Sequence, residues 1–142
     1  MAKKRVSKED WLTAALDLLR AGGIEAVRVE RLADKVGVAK SGFYYHFRDR
    51  ADLHTALLDH WLQLDGTPFL EERRFSEASP ERKLAIVAEV VDDADLSRFD
   101  GAIRQWARQD PKVRRIWRKE MNKRLDHIRG LFRDIGFEGE QL

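Results

Sequence analysis

Residues 24–53 read IEAVRVERLADKVGVAKSGFYYHFRDRADL, and this stretch predicts the architecture of the N-terminal part of the chain. Apolar residues recur at helical spacing over residues 29–36, and Gly37 is a typical residue to end that helix. Residues 39–46 predict a second short helix directly after the glycine turn. Two short helices joined by a turn that contains glycine predict a helix-turn-helix.

The second helix carries few residues that belong in a core. Phe43 and Phe47 are spaced i, i+4 and are predicted to anchor it. Because isolated helices shorter than about 12–15 residues are marginal in water, its neighbours must hold it, and the rest of its surface is free to face outward. That outward surface combines small, cationic, hydroxyl-bearing and imidazole-bearing residues: Lys40, Ser41, Gly42, Tyr44, Tyr45 and His46.

This composition suits a DNA-binding surface. A helix N-terminus attracts phosphate through its free N–H groups and its dipole. Tyrosine hydroxyls and His46 can donate hydrogen bonds to phosphate oxygens, and Lys40 can reach a phosphate or the O6 and N7 atoms of guanine. The alternative interpretation is that Tyr44, Tyr45 and His46 form an ordinary solvated helix end.

The rest of the sequence predicts further helices and no strand. Ser7 and Asp49 are predicted N-caps, each followed by an acidic residue at the third helical position. Three further helices are predicted to start at cap–proline pairs, which are Thr67-Pro68, Ser79-Pro80 and Asp110-Pro111. The second of these is predicted to bury Leu84, Val87, Ala88 and Val91. The last is long and ends at Gly136, so we predict an all-α chain.

Charge is unevenly divided along the 142 residues, although 27 Lys and Arg nearly balance 25 Asp and Glu. Residues 1–50 carry 11 basic and 7 acidic side chains, whereas residues 51–142 carry 16 and 18. A basic N-terminal module on a mildly acidic body favours an anionic partner for the first third of the chain.

Several function classes have no support in the sequence. The absence of cysteine excludes disulfides, thiolate metal sites and thiol catalysis. The four histidines show no metal-ligand spacing, and no phosphate loop or catalytic triad stands out. We therefore expect no metal, no cofactor and no enzyme activity. No apolar run approaches the roughly 20 residues that span a bilayer, so we expect no membrane partner and a cytoplasmic location.

Three segments carry a more specific signal, namely GIEA at Gly23–Ala26, LADKVGVAK at Leu32–Lys40 and FYYHFRDRADL at Phe43–Leu53. Together they resemble the DNA-binding domain of the TetR family, over about residues 7–60. The resemblance implies a three-helix helix-turn-helix domain at residues 1–50. It also implies a helical-bundle domain at residues 51–142 that binds a ligand and forms the dimer.

The resemblance implies roles for individual residues of the DNA-binding domain. Tyr44 and His46 match residues that touch phosphate, and Lys40 matches a position that contacts backbone or base. Arg50 stands where a lysine usually clamps a phosphate. The remaining matches, at positions that read base edges or thymine methyl groups, are Ser41, Gly42 and Tyr45.

Two positions depart from the family pattern. Arg28 stands where a Ser or Thr usually caps the second helix; a cap worth about 1 kcal/mol is lost, and a phosphate contact is the expected gain. Gly42 stands where Thr or Ala is common, which removes a possible base contact and loosens the recognition helix. We therefore expect few direct contacts between side chains and base edges.

The second domain is expected to hold a ligand and a partner. Helical-bundle interiors are common small-molecule sites, and the candidate lining is His60, Trp61, Phe69, Phe99 and Trp106; the alternative is that these residues are plain core. In the long last helix, Ile116 and Leu131 widen the apolar stripe, which suggests burial against its own domain and against a partner. Family members usually continue with one more long helix, which is missing before Leu142, so this domain is expected to be incomplete.

The function implied by the resemblance is sequence-specific transcriptional repression. A homodimer would bind a palindromic operator in double-stranded DNA, and an unknown small-molecule inducer would release it. The competing interpretation is a helical protein-interaction module that does not bind DNA and in which the helix-turn-helix is only scaffold.

Overall fold

The structure, a computed structural model, describes residues 5–64, 73–93 and 97–141, and within these ranges it contains eight α-helices and no strand. This confirms the all-α prediction. None of the described helices is long and apolar enough to cross a membrane. The helices are α1 (Lys8–Gly22), α2 (Val29–Val36), α3 (Ser41–His46), α4 (Arg50–Gln63), α5 (Arg73–Ser76), α6 (Pro80–Asp93), α7 (Asp100–Gln109) and α8 (Pro111–Ile135).

The N-termini of the first and fourth helices are capped as predicted. At α1 the Ser7 hydroxyl accepts a hydrogen bond from the Asp10 N–H at 3.2 Å, while the Asp10 carboxylate accepts one from the Ser7 N–H at 2.8 Å. This reciprocal pair is a capping box, which satisfies two N–H groups that the helix itself cannot. At α4 the Asp49 carboxylate accepts a hydrogen bond from the Asp52 N–H at 2.8 Å.

The predicted limits of the long last helix are also confirmed. The Asp110 carboxylate caps α8 by accepting a hydrogen bond from the Lys112 N–H at 2.9 Å. Gly136 ends the helix in the left-handed region with φ 114°, and Gly37 ends α2 in the same region with φ 83°. Because a side chain is strained at such angles, glycine is the residue of choice at both positions. The predicted start at Thr67-Pro68 lies outside the described residues.

The third helix begins at Ser41, later than the predicted start at residue 39. The Gly42 N–H donates to the Ala39 carbonyl at 3.1 Å and the Phe43 N–H donates to the Lys40 carbonyl at 3.0 Å. These bonds close tight i to i+3 turns, so Ala39 and Lys40 belong to the turn that leads into the helix. The difference lies within the usual variation of a helix end.

The predicted inward face of α6 is confirmed at Leu84 and Val87, which are half-buried against a neighbouring cluster, and is wrong at Ala88, which is exposed. Ile86, which was not predicted to face inward, is buried. The reason is tertiary, because α6 packs in a small separate cluster in which Ile86 lies with Phe75 and Leu131. The stripe that faces this cluster is rotated from the one that apolar spacing alone suggests. The side chain of Val91 is outside the described set.

Most of the buried apolar side chains form one continuous core. It begins with Trp11 and Leu16 in α1, takes in both short helices of the helix-turn-helix, and continues through α4, α7 and the start of α8. The two segments of the predicted domain division at residue 50 therefore share this core, and the division itself stays a prediction. The largest fully buried side chains are Trp11, Trp61, Phe43, Phe47, Leu16, Leu19, Leu32, Leu53, Leu57 and Ile103.

A polar cluster connects α4, α7 and α8 at the edge of this core. The Asp100 carboxylate accepts a hydrogen bond from the Trp61 indole N–H at 3.0 Å and another from the Arg124 guanidinium at 2.8 Å. Arg124 also pairs with the buried carboxylate of Glu120 at 3.1 Å, and its guanidinium lies over the Trp61 ring. The last turn of α4 is thereby tied to the first turn of α7 and the middle of α8.

Two histidines of α4, His54 and His60, are partly buried. The His54 ring meets Trp106 edge-on with ring centroids 5.1 Å apart, and among the described residues its buried Nε2 atom has no hydrogen-bond partner. Burial lowers the pKa of His54, the charge of Arg50 lowers it further, and the charge of Asp110 opposes both. Burial also lowers the pKa of His60, against the opposing charge of Glu9.

The anchoring role of Phe43 can be tested by Phe43→Ala. The substitution removes a fully buried aromatic ring. It is expected to lower the free energy of unfolding by about 3–5 kcal/mol, because the burial of the ring is lost and a cavity remains in its place. Urea unfolding measures the effect. Tyr45→Ala, at an exposed neighbour in the same helix, is the control and should change stability by less than about 0.5 kcal/mol. Similar losses from the two variants would contradict the anchor.

Stability is expected to fall as the pH is lowered through the ordinary histidine pKa of 6.5. His54 and His60 stay neutral in the folded protein at pH values where the unfolded chain already binds protons. Their contribution to the free energy of unfolding is therefore fully present above pH 6.5 and is lost as the pH falls below it. Urea unfolding of the native protein and of His54→Gln/His60→Gln at about pH 7.5 and about pH 5.5 tests this. The double variant should lose less stability between the two pH values; an equal loss would contradict the prediction.

Candidate nucleic-acid interface

The recognition helix of the predicted motif, α3, is held by two aromatic side chains. Phe43 and Phe47 are buried with ring centroids 5.0 Å apart, and Phe43 meets Trp11 of α1 edge-on at 5.9 Å. The predicted core role of both phenylalanines is therefore confirmed. Because the inward side of α3 consists of these rings, its opposite side is left to solvent.

The outer face of α3, defined here as Lys40, Ser41, Tyr44, Tyr45 and His46, is accessible. Tyr44 and Tyr45 are 60% and 77% exposed, Lys40 and Ser41 are exposed, and His46 is half-buried. The exposed rings are braced by their neighbours, since Tyr44 meets Phe43 edge-on at 5.1 Å and Tyr45 meets His46 at 5.0 Å. The sequence placed these residues on one surface, and the structure brings them together there.

Lys40 is paired across the turn. Its ammonium group lies 3.1 Å from the Glu30 carboxylate of α2, and both side chains are well exposed. A backbone hydrogen bond and the Lys40 ammonium hold the pKa of Glu30 below its ordinary value. Ion pairs in this setting are weak because water screens them. Lys40 is therefore held near the recognition helix and remains able to exchange its partner for a phosphate. No sequence pattern predicted this pair, because it depends on how α2 and α3 cross.

Arg28 and Arg50 both bind the 3-10 turn at Ile24–Ala26. The Arg28 Nε donates to the Glu25 carbonyl at 3.0 Å, and an Arg50 Nη donates to the Ile24 carbonyl at 3.4 Å. Arg28 makes no side-chain cap at the start of α2, which agrees with the expected loss of a capping residue. Both arginines are exposed, so this turn carries two cations beside the helix-turn-helix.

Gly42 has a packing role that sequence inspection missed. An ideal Cβ atom at this position would lie 3.3 Å from Trp11 Cζ2 and 3.6 Å from Val38 Cγ2. The absence of a side chain thus lets α3 approach the Trp11 indole closely. Gly42 is half-buried between these neighbours, and its contact with base edges stays a prediction.

The candidate ligand-pocket residues of the second domain are dispersed between core and surface. Trp61, Phe99 and Trp106 are buried members of the main core, which matches the plain-core alternative, while His60 is half-buried. Phe69 lies outside the described residues. The pocket stays a prediction. The described residues also contain no group of histidines and carboxylates that could hold a metal ion.

The N-terminal region matches one protein family. The family described as bacterial regulatory proteins, tetR family, matches residues 12–57, which include most of α1, all of α2 and α3, and the first half of α4. These are the elements that build the interface and its supporting core.

Similar curated proteins carry related descriptions. An uncharacterized HTH-type transcriptional regulator, TtgW of Pseudomonas putida, is 31% identical over 80 residues, which cover 54% of this chain and 60% of that protein. The HTH-type transcriptional regulator SrpR of Pseudomonas putida is also 31% identical over 80 residues, 54% of this chain and 38% of that protein. The class C tetracycline repressor protein of Escherichia coli is 32% identical over 63 residues, 44% of this chain and 29% of that protein.

The chain spans less than two thirds of the length of each of these relatives. No solved structure matches the chain.

Proposed function

We infer that the chain, whose residues 12–57 match the tetR family of bacterial regulatory proteins, is a DNA-binding transcriptional repressor released by a small-molecule inducer. Regulators of this family are DNA-binding transcription factors and not enzymes. The observation that carries the proposal is the outer face of α3, which is polar, cationic and accessible because Phe43 and Phe47 occupy the opposite side.

Phosphate contacts supply most of the binding energy in this proposal. Tyr44 and His46 donate to phosphate oxygens from the end of α3, and Lys40 exchanges its exposed Glu30 partner for the DNA backbone. Arg28 and Arg50 add cations from the neighbouring turn. Each neutralised phosphate releases counterions, so affinity falls steeply as salt rises.

Base reading falls to the remaining members of the outer face. Ser41 and Tyr45 are exposed and contact base edges or thymine methyl groups in the major groove. Gly42 offers no side chain to the bases, and a Cβ atom at this position would lie next to Trp11. Few side chains are thus available for direct readout, and specificity depends partly on the shape of the DNA.

A two-fold dimer would place two recognition helices on successive turns of DNA, about 34–36 Å apart or somewhat wider. The second half of α8 supports this proposal, because it leaves apolar side chains in water. Leu125 is 50% exposed, and Phe132 and Phe137 are exposed while their rings pack edge-on at 5.4 Å. Apolar surface of this kind is typical of a subunit interface.

Release by an inducer would act through α4. The first turn of this helix carries Arg50 beside the DNA-binding surface, and its last turns carry His60 and Trp61, two of the candidate pocket residues. Trp61 is bonded to Asp100 of α7 at 3.0 Å. A ligand that disturbs this end of α4 would shift the spacing of the recognition helices. The other pocket candidates remain Phe69, Phe99 and Trp106.

Selection of bound sequences from random duplex DNA tests the function and the symmetry together. Enrichment of a palindrome supports a dimeric DNA-binding protein, and enrichment of a single half-site supports DNA binding without the dimer. No enrichment, together with a protein partner whose binding does not depend on salt, would favour the alternative of a protein-interaction module.

Tyr44→Ala/His46→Ala is expected to weaken binding to specific and non-specific duplexes alike, since phosphate contacts carry no sequence information. The loss should be about tenfold or more, and the salt dependence should become shallower. Fluorescence anisotropy titrations at several salt concentrations measure both. Gln105→Ala/Gln109→Ala, which removes two exposed polar side chains of α7, is the control and should bind normally. Unchanged affinity in the first variant would contradict these roles.

Leu125→Glu/Phe132→Glu is expected to give a monomer, because two charges would be buried in the proposed interface. Sedimentation velocity measures the change in mass. Gln105→Glu/Asn122→Glu adds the same charge at exposed polar positions and should leave the dimer intact. Equal dimerisation by both variants would place the interface elsewhere.

A further inference from the structure

A groove separates the first residues of the described chain from the recognition helix. Its volume is about 580 Å³, which lies within the range of small-molecule sites. One wall comes from residues 5–8 and α1, and the other comes from the turn before α3 and from α3 itself. The lining residues are Arg5, Val6, Ser7, Lys8, Trp11, Val38, Gly42, Tyr45 and His46.

The floor of the groove is apolar. Its apolar lining residues are Val6, Trp11 and Val38, of which Val38 is exposed, Val6 is half-buried and Trp11 is almost fully buried. Gly42 keeps this floor open, because an added Cβ atom would project toward Trp11 Cζ2 at only 3.3 Å. The exposed part of this floor therefore offers apolar contact that water does not satisfy.

The rim of the groove is cationic. Arg5 and Lys8 are both exposed, and neither pairs with a carboxylate among residues 5–64, 73–93 and 97–141. Lys8 lies over the Phe47 ring at 5.2 Å, which holds its ammonium group near α3. Tyr45 and His46 complete the rim with a hydroxyl and an imidazole. The lining contains no acidic residue.

We propose that this groove is a binding site for a small amphipathic aromatic anion, such as an aromatic carboxylate or sulfonate. The ring system packs on Val6 and Val38, close to the Trp11 indole, and the anionic group pairs with Arg5 and Lys8. The site is separate from the candidate pocket in the second domain. It belongs to a part of the molecule where ligand and DNA would need the same side chains.

Occupancy of the groove has one consequence that rests on the proposed function. A bound ring system covers Tyr45 and His46, which are members of the outer face of α3, so it competes with DNA. DNA phosphate and the small aromatic ligand are both anionic, so either could occupy the cationic rim. Measuring ligand binding in the absence of DNA distinguishes the two.

The site is tested by titrating the full ¹⁵N-labelled chain with 2-naphthoate and following amide and indole signals by NMR, without DNA. The Trp11 indole signal is identified from its loss in Trp11→Phe. We expect saturable shifts confined to the Trp11 indole and to amides of residues 5–8, 38–42 and 45–46. Neutral 2-naphthalenemethanol, which lacks the charge, should bind about tenfold or more weakly. Shifts that centre on α8, or no saturable shifts, would overturn the proposal.

Charge reversal at the rim separates the groove from general attraction of anions. Arg5→Glu/Lys8→Glu should weaken 2-naphthoate binding about tenfold or more, with the remaining spectrum reporting that the chain is folded. Arg115→Glu/Lys119→Glu makes the same change in net charge at exposed positions of α8 and should bind normally. Equal weakening by both variants would overturn the site.

A second arm measures the competition. With a duplex taken from the selection experiment, 2-naphthoate should raise the apparent Kd for DNA in the native protein and have little effect in Arg5→Glu/Lys8→Glu. Simultaneous binding of DNA and 2-naphthoate would contradict the competition but not the presence of the binding site in the groove. If the chain binds no duplex, the proposed function fails while the NMR titration still decides the groove.

Discussion

The burial of Phe43 against Trp11, with Phe47 packed against Phe43, makes the rest of the interface possible. The six residues of α3 form too short a helix to persist in water by themselves. The Phe43 ring, which contacts the Trp11 indole, and the Phe47 ring beside it supply the apolar contact that holds the helix. Because these buried rings hold the helix, the outer face can be polar and cationic. The proposed DNA binding needs this property.

The same core extends beyond the helix-turn-helix. Trp11 and Phe43 belong to one cluster with Trp61, Ile103 and Trp106, so the supporting surface of α3 is continuous with α4 and α7. Such close packing transmits displacement, because interiors have little spare volume. A change at the far end of α4 therefore has a physical route to the recognition helix.

The polar cluster at the far end of α4 gives that route a defined position. Asp100 receives hydrogen bonds from both Trp61 and Arg124, and Arg124 also neutralises the buried Glu120. Buried ion pairs add little net stability because desolvation opposes their attraction. They do penalise every arrangement that leaves one charge unpaired. The cluster therefore specifies how α4, α7 and α8 meet more than it strengthens their contact.

Features that depend on near neighbours along the chain could be predicted from the amino-acid sequence. Ser7, Asp49 and Asp110 cap their helices, and Gly37 and Gly136 end theirs, because caps and left-handed turns involve only a few consecutive residues. The i, i+4 spacing of Phe43 and Phe47 was likewise sufficient to predict which side of α3 is buried.

The contacts between different helices, by contrast, became visible only in the folded chain. The Lys40–Glu30 pair, the close approach of Gly42 to Trp11 and the cluster around Asp100 join residues on different helices. For the same reason the face of α6 was predicted only in part, since Ala88 is exposed and Ile86 is buried. Apolar spacing defines a stripe on a helix, but the neighbour that packs against it selects the part of the stripe that is buried.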